Sequence, residues 1–269
     1  ALPIWKVIVM KKILAVICFS FLSFNVANAE VLSLGVSGNA GMLEADGKET
    51  ITGTSTRART WSEGTITTAD GTSTTTSTRG SDDVFIGYVA LFGEVHLFDS
   101  GLRLGLSYVP YALESETTDN TRVDQCERIG TNNGVTGNSD GDCSATTQTV
   151  QIDVEDLTML YASYHADVDL GFVDSAFIKA GIIEADVITK EKLASGSSYP
   201  NTTLEGQFIG VGVEKNLDDG LFVRVEAGLT EYDSITLTNQ VTDTDENNNT
   251  IAITGLDGAT ATISIGKTF

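Results

Sequence analysis

The chain has 269 residues, of which 41% are hydrophobic and 20% charged, with 37 acidic against 16 basic side chains. A net charge of −21 argues against nucleic acid as a partner, because phosphate binding needs a basic surface. This composition excludes a simple disordered tail, and no apolar run is long enough for a transmembrane helix. What remains is a Gly- and Thr-rich, acidic chain that we expect to be rich in β-structure.

Residues 1–29 have the three parts of a secretory signal peptide. Residues 10–12 (Met-Lys-Lys) form a basic n-region, 13–24 an apolar h-region, and 27–29 (Ala-Asn-Ala) a cleavage site before Glu30. The alternative is a membrane anchor, but the apolar run is too short for one. Residues 1–9 precede the first Met and are left out of the fold reasoning. Residues 30–269 are then the mature domain.

Two cysteines remain in the mature chain, Cys126 and Cys143. An even pair in an exported protein predicts a disulfide. The segment between them is polar and Gly-rich, so the bridge would close a loop rather than brace a core. Closing such a loop contributes roughly 3 kcal/mol through chain entropy. A zinc site would need more Cys or His nearby, and none is present.

Eight segments alternate apolar and polar residues with the period of two that indicates β-strands. The third is the clearest, with Leu102, Leu104 and Leu106 on one face and Arg103 and Gly105 on the other. The predicted strands are 31–43, 84–98, 102–114, 150–169, 175–190, 204–215, 221–239 and 250–269.

The connections between these segments alternate strictly in length. Three short turns (99–101, 171–174 and 216–220) follow the second, fourth and sixth strands. Four long connections (44–83, 115–149, 191–203 and 240–249) follow the others. In an antiparallel meander all short turns fall at one end and all long loops at the other. This asymmetry is typical of an outer-membrane barrel, with short periplasmic turns and long external loops.

The alternatives are a soluble β-sandwich and an eight-stranded ligand-binding cup. The strands exceed the roughly 10 residues needed to span a membrane. The small and charged residues share one face, while Leu, Val and Ile dominate the other, the reverse of a soluble barrel. Aromatic residues lie near both strand ends, as membrane interfaces require: Phe98, Phe172, Phe222 and Phe269 at the short turns, and Phe85, Tyr111 and Tyr232 toward the loops.

The signal peptide, the eight strands and the last segment resemble the outer-membrane-protein-A-like and opacity-type barrels of Gram-negative bacteria. The resemblance covers residues 30–269 and rests on pattern. In that family a C-terminal aromatic, preceded by alternating apolar residues, is the signal that the barrel-insertion machinery recognises. Phe269, Ile265, Ile263 and Ala261 match this assembly signal, while Lys267 departs from it. The resemblance implies an all-β, eight-stranded antiparallel up-and-down transmembrane barrel in the outer membrane.

The face assigned to the lumen carries nearly balanced charges. Glu214 and Arg224 fall opposite each other or on a diagonal across the third short turn, and His96 opposes Arg103 across the first. Charges in a low-dielectric shell must be paired, and eight strands leave room only for side chains. We therefore expect a polar plug, with an ion-selecting narrow pore as the alternative. The predicted lumen residues are Glu94, His96, Arg103, His165, Asp167, Lys179, Glu214, Arg224 and Glu226.

Catalysis is the least favoured function. The only histidines, His96 and His165, lie near short turns, opposite to the loop end where surface enzymes place their sites, and no Gly-x-Ser-x-Gly elbow occurs. No catalytic, cofactor or metal residues are predicted. The acidic run 243–247 resembles the start of a calcium loop without its Gly and Glu, which predicts weak divalent-ion binding at most.

The sequence therefore predicts a monomeric surface-display scaffold. A narrow porin-like channel is the alternative and a surface enzyme a third option. The expected partners are outer-membrane lipid, lipopolysaccharide bridged through divalent ions, and the barrel-insertion machinery.

Overall fold

The computed structural model describes residues 31–55, 59–61, 64–66, 72–97, 100–115, 118–122, 146–168, 170–192, 198–239 and 248–269. The predicted signal peptide, the acidic run 243–247, Cys126 and Cys143 lie outside these residues. The signal peptide and the disulfide therefore stay predictions.

Eight strands form one closed antiparallel ring. They are β1 (Leu32–Ser55), β2 (Thr72–Leu97), β3 (Leu102–Tyr108), β4 (Thr146–Asp167), β5 (Ser175–Lys192), β6 (Thr202–Asn216), β7 (Leu221–Tyr232) and β8 (Asn248–Thr268). Each strand pairs with the next in sequence, and β1 pairs with β8 to close the ring. Leu113–Glu114 and Thr118–Arg122 continue β3, Ile235–Thr238 continues β7, and Arg59–Trp61 pairs with Gly64–Ile66. The predicted eight-stranded up-and-down barrel is confirmed.

Strict alternation turns the apolar face of every strand outward. On β7, Leu221, Val225 and Leu229 are exposed, while Arg224 and Glu226 between them are buried. This outer belt runs from Leu221 to Leu229 on β7, which at a strand tilt near 40° corresponds to a height of roughly 21 Å. That height is close to that of the apolar band of outer-membrane barrels, which is about 25 Å. The exposed apolar side chains on the other strands include Leu34, Val36, Met42, Val89, Leu91, Leu104, Leu160, Ile178, Ile182, Ile209, Val211, Ile263 and Ile265.

The belt ends at a common height, where outward positions change from apolar to acidic. Glu44 on β1 pairs in register with Asp83 on β2 and with Asp257 on β8. Glu184 on β5 likewise faces Glu205 on β6. Charged side chains on a lipid-facing surface are strongly unfavourable in the hydrocarbon layer. These acids therefore mark the outer boundary of the membrane-spanning part.

The other end of the barrel carries tight turns. Gly101 and Gly220 have φ angles of 74° and 76°, which glycine adopts without steric cost. Beside the turn between β4 and β5, Asp174 accepts hydrogen bonds from Lys215 Nζ (2.8 Å) and from the backbone N–H of Asn216 (2.7 Å). These two hydrogen bonds lower the pKa of Asp174. The predicted short turns thus lie together, opposite the long connections.

The strands continue beyond the belt, so several predicted boundaries were wrong. β1 extends to Ser55 rather than residue 43, and β2 begins at Thr72 rather than residue 84. Outside the membrane both faces of a strand can be polar, which removes the alternation that marks a strand in the sequence. In the opposite direction, β3 ends at Tyr108 instead of residue 114.

Above the belt the ring separates into two sheets. Within the described chain, residues 72–83 of β2 pair only with β1, and Ile235–Thr238 pairs only with β8. The segments continuing β3 pair only with β4. The two sheets enclose an apolar cluster of Val187, Tyr199, Leu204, Ile235, Leu237 and Leu256, against which Leu43 and Tyr232 pack. The external part of the protein therefore has a small apolar core of its own.

Two aromatic residues assigned to the membrane interfaces were misplaced by the sequence reasoning. Phe222 is 1% exposed and lies inside the barrel, and Tyr232 packs against the apolar cluster. Phe85, Phe172 and Phe269 are exposed as expected, at 83%, 74% and 61%. Phe222 and Tyr232 both lie at even-numbered positions of β7, as Arg224 and Glu226 do. Alternation along the strand therefore turns them inward, whatever their residue type. In the described residues, no helix is long and apolar enough to span a membrane.

Candidate functional site

Six charged side chains meet inside the part of the barrel nearest the short turns. β2 supplies Glu94, β3 Arg103, β5 Lys179, β6 Glu214, and β7 both Arg224 and Glu226. Each occupies an inward position, and direct register pairs place Glu214 opposite Arg224 and His96 opposite Arg103. Glu94, Arg103, Glu214 and Arg224 are called the lumen cluster below.

Arg224 is the centre of the lumen cluster. Its Nη1 and Nη2 atoms donate to Oε1 and Oε2 of Glu94, each at 2.6 Å, and its Nε donates to Oε2 of Glu214 at 2.5 Å. The side chains of Arg224 and Glu94 are 4% and 0% exposed. A bidentate guanidinium–carboxylate pair is the strongest geometry for such a contact. Arg224 thus joins two strands on opposite sides of the lumen.

Arg103 completes the cluster on the far side of Glu214. Its two terminal nitrogens donate to the two carboxylate oxygens of Glu214 at 3.0 Å, and Nη1 lies 3.7 Å from Oε2 of Glu94. Tyr161 adds a hydrogen bond from its hydroxyl to Oε1 of Glu94 at 2.9 Å. Two carboxylates and two guanidiniums alternate across the interior, so the cluster is electrically neutral and internally satisfied.

Aromatic rings fill the space around these charges. The guanidinium carbon of Arg224 lies 4.4 Å from the centroid of Phe222 and 5.5 Å from that of Phe92. The two rings are 6.2 Å apart and tilted by 50°. Contacts of this kind between a guanidinium and aromatic rings add to the stabilisation of the buried charge.

A second ion pair lies beside the cluster. Lys179 Nζ contacts Oε2 of Glu226 and lies 4.6 Å from the ring centroid of Tyr161. Both side chains are largely buried. The ring of Phe208 faces the same ammonium at 5.9 Å. The pair brings two more opposite charges into the lumen without changing its net charge.

The remaining predicted lumen residues do not join the cluster. His96 Nε2 lies 2.8 Å from Ser33 Oγ, at the short-turn end of the barrel. Asp167 has the inward parity of β4 but is exposed at that end, so its expected membership in the cluster was wrong. An inward position near a strand end opens to solvent rather than to the packed interior.

His165 has neighbours of the types found in a catalytic triad. Its Nε2 lies 3.2 Å from Ser163 Oγ, and its Nδ1 lies 3.9 Å from Oε2 of Glu214. The ring stacks on Phe177 at 4.7 Å, and Ser163 is 2% exposed. Nucleophilic catalysis needs a reachable hydroxyl and a space beside it for the substrate. Ser163 is enclosed, and Glu214 already binds both Arg103 and Arg224, so the three groups are arranged as parts of the buried packing.

Six inward aromatic rings in the described part of the chain lie on glycines of the neighbouring strand, a feature that the sequence analysis did not predict. Register pairs place Tyr161 opposite Gly105, where an added Cβ would come within 2.3 Å of the ring. The signal was available in the sequence, since inward glycines alternate with inward aromatics across adjacent strands. The other five pairs are Phe92 with Gly35, Phe177 with Gly212, Phe208 with Gly228, Phe222 with Gly266, and Tyr232 with Gly206.

A cavity lies in the lumen between the charged pairs and the apolar cluster. The cavity has a volume of about 60 Å³, and residues of all eight strands line it. Arg224, Lys179 and Glu226 line it on one side, while Leu43 and Tyr232 join it to the apolar cluster. A polar cavity of this size can hold several waters.

The C-terminal residues of the predicted assembly signal lie on β8 and just beyond it. Ile263 and Ile265 are 64% and 56% exposed on the lipid-facing side, in the same parity as Phe269. Lys267 Nζ lies 5.6 Å from the ring centroid of Phe269. Among the described residues, no group of His, Cys, Asp and Glu could hold a metal ion.

Comparison with known proteins yields structural likeness only. No family model matches the chain, and no curated protein matches it. The structure resembles the outer membrane protease OmpT from Escherichia coli at 9% identity and a TM-score of 0.41, covering 92% of this chain and 99% of that one. It also resembles Neisserial surface protein A at 9% identity and a TM-score of 0.34, covering 86% and 99%.

A third likeness is to the translocator domain of the autotransporter NalP from Neisseria meningitidis, at 11% identity and a TM-score of 0.31, covering 97% and 95% of the two chains. Identities and TM-scores this low say nothing about the activity of this chain. The assignment stands on the closed antiparallel ring and its apolar outer belt, which is the architecture of an outer-membrane β-barrel.

Proposed function

We propose that this outer-membrane β-barrel is a structural scaffold that holds its external segments above the membrane and does not conduct. One observation carries the proposal: the neutral lumen cluster joins β2, β3, β6 and β7 across the interior. An open pore needs a continuous water path, and these side chains occupy its cross-section. We also propose that the chain is related to the outer-membrane-protein-A-like and opacity-type barrels.

The length of the strands supports a display role. β1 and β2 have 24 and 26 residues, well beyond the span of the apolar belt. The apolar cluster above the membrane gives this external part its own packing. A barrel that served only to cross the membrane would gain nothing from such an extension, whereas a display scaffold would hold its loops away from the lipid surface.

The proposed surroundings follow from the outer surface. The apolar belt would contact lipid, and the acids at its outer boundary would face lipopolysaccharide through divalent cations. The exposed C-terminal apolar residues would be recognised by the barrel-insertion machinery. A monomer is proposed, because the ring is closed within one chain.

A narrow channel is the second candidate, and the lumen cavity is the observation that favours it. Its lining includes hydroxyl groups and the Lys179–Glu226 pair. A rearrangement of the lumen cluster would connect this cavity with the short-turn end. Catalysis remains outside the proposal, since His96 and His165 contact buried serines rather than an accessible site.

Conductance in planar lipid bilayers separates the scaffold from the channel. The wild-type protein is expected to give no steady current, because the lumen cluster blocks the interior. The Lys215→Ala variant, which removes an exposed ion pair and a hydrogen bond at the short turns, is the matched control and should also be silent. A steady wild-type current with reproducible unit conductance would refute the scaffold in favour of the channel.

A further inference from the structure

One seam of the barrel wall stops inside the apolar belt. β2 and β3 pair from Leu97 with Leu102 up to Leu91 with Tyr108. Beyond this point, residues 84–90 of β2 have a strand partner only in β1 within the described chain. The belt itself continues there, since Phe85 and Val89 are exposed apolar residues of outward parity and the acids begin at Asp83.

A proline explains why the pairing stops. Continuing the register would place Pro110 opposite Val89. Because His96 N–H donates to Val31 on the β1 side, the odd-numbered residues of β2 direct their backbone groups toward β3. Position 110 would therefore have to donate an N–H to Val89, and proline has none. The Val89 N–H instead donates to the Tyr111 hydroxyl at 2.6 Å.

A bulge in β4 lies at the same height and draws β3 away from β2. The register of β4 shifts between Glu155 and Thr158, and Asp156 has a φ of 52°. Bulges bend the strand that contains them. Tyr108 donates from its hydroxyl to Asp156 Oδ1 at 3.0 Å, and the Val109 N–H donates to Leu157 O at 3.0 Å. After Tyr108 the chain therefore follows β4.

The lumen cavity lies directly behind this gap. Residues on both sides of the gap line the cavity: Ile86 and Tyr88 from β2, Ser107 from β3, and Val109 just after β3. Below the cavity are the lumen cluster and the Lys179–Glu226 pair, and above it is the apolar cluster. Within the described chain, neighbouring strands pair on every other side of the cavity at this height. The gap between β2 and β3 is the one side without such pairing.

We propose that this gap is a side portal, through which the end of one hydrocarbon chain of an outer-leaflet lipid enters the lumen cavity. The lipid is the medium that the belt already contacts, and the portal is continuous with that belt. Ile86, Val109, Leu157 and Met159 make the portal side of the cavity apolar. Such an apolar lining suits the end of a hydrocarbon chain and not a charged head group. Interfacial water reaches the open strand edge, because the gap extends to the acids at the boundary.

Quenching of tryptophan fluorescence by lipids brominated on their acyl chains tests the portal. The full chain, with Trp5→Phe and Trp61→Phe, receives one new tryptophan, Met159→Trp, in the cavity beside the portal. Leu229→Trp, on the lipid-facing surface of β7, is the positive control. Phe222→Trp, buried beneath the cavity, is the negative control. Met159→Trp is expected to be quenched at least half as strongly as Leu229→Trp.

Closing the portal provides the decisive comparison. In the same background with Cys126→Ser and Cys143→Ser, Val89→Cys and Pro110→Cys place two thiols across the gap. Oxidation should reduce quenching of Met159→Trp to the level of Phe222→Trp, and reduction should restore it. A cavity that holds only water would leave Met159→Trp quenched no more than Phe222→Trp, and this result would overturn the proposal. Quenching that persists after complete cross-linking would overturn it equally.

Discussion

Arg224→Ala is the substitution that tests the lumen cluster most directly. It removes three short hydrogen bonds, two to Glu94 and one to Glu214. Glu214 keeps its bidentate contact with Arg103. Glu94, whose side chain is 0% exposed, keeps only the Tyr161 hydroxyl and a contact of 3.7 Å to Arg103. The main consequence is therefore a poorly compensated carboxylate inside the barrel.

Removing one partner of a buried ion pair costs about 3–5 kcal/mol of unfolding free energy. The contacts that Glu94 retains place the expected loss near the lower end, at about 3 kcal/mol. Adding Glu94→Gln to Arg224→Ala removes the buried charge and should restore about 1 kcal/mol or more, because the two side chains act as one unit. A recovery of this kind distinguishes lost charge pairing from lost packing volume.

Urea unfolding of the protein in lipid vesicles provides the measurement. Lys215→Ala is the matched control, since its pair with Asp174 has exposed fractions of 39% and 37% and should contribute less than about 1 kcal/mol. If Arg224→Ala unfolds with the same free energy as Lys215→Ala, the lumen is wet and the pairing argument fails. Conductance recorded on the same preparation would then be expected to differ between wild type and Arg224→Ala.

Three further predictions address separate features. Gly105→Ala should cost about 1–3 kcal/mol in the same unfolding assay, because its Cβ would overlap the Tyr161 ring, whereas Gly38→Ala, which meets no atom within 4 Å, should be neutral. Mass spectrometry of alkylated protein should find Cys126 and Cys143 oxidised; free thiols in fresh protein would contradict the disulfide. Phe269→Ala should lower the amount of folded barrel in the outer membrane on heat-modifiability gels, and an unchanged amount would remove Phe269 from the assembly signal.

The sequence by itself determined the barrel and the direction of its side chains. A period of two leaves only two faces, and lipid accepts only the apolar one, so Arg224 and Glu226 had to point inward once Val225 pointed outward. The strict alternation of short and long connections likewise implied the order of the strands. The predicted position of Phe222 at the membrane interface was wrong. It followed from the aromatic side chain, whereas the alternation along β7 turns this residue inward.

The tertiary structure alone decided which inward groups meet and where the wall opens. Arg224 binds Glu94 from a strand distant in the ring, a contact that depends on the stagger of the strands and leaves no local pattern. The external parts of β1 and β2 were missed because both of their faces are polar. The apolar cluster was missed because its residues come from separate segments that only the fold brings together. The predicted strand 102–114 ran through Pro110, although proline cannot donate a hydrogen bond to a neighbouring strand. That strand pairing stops in front of a cavity follows only from the closed ring, which brings Ile86 and Met159 to the same space.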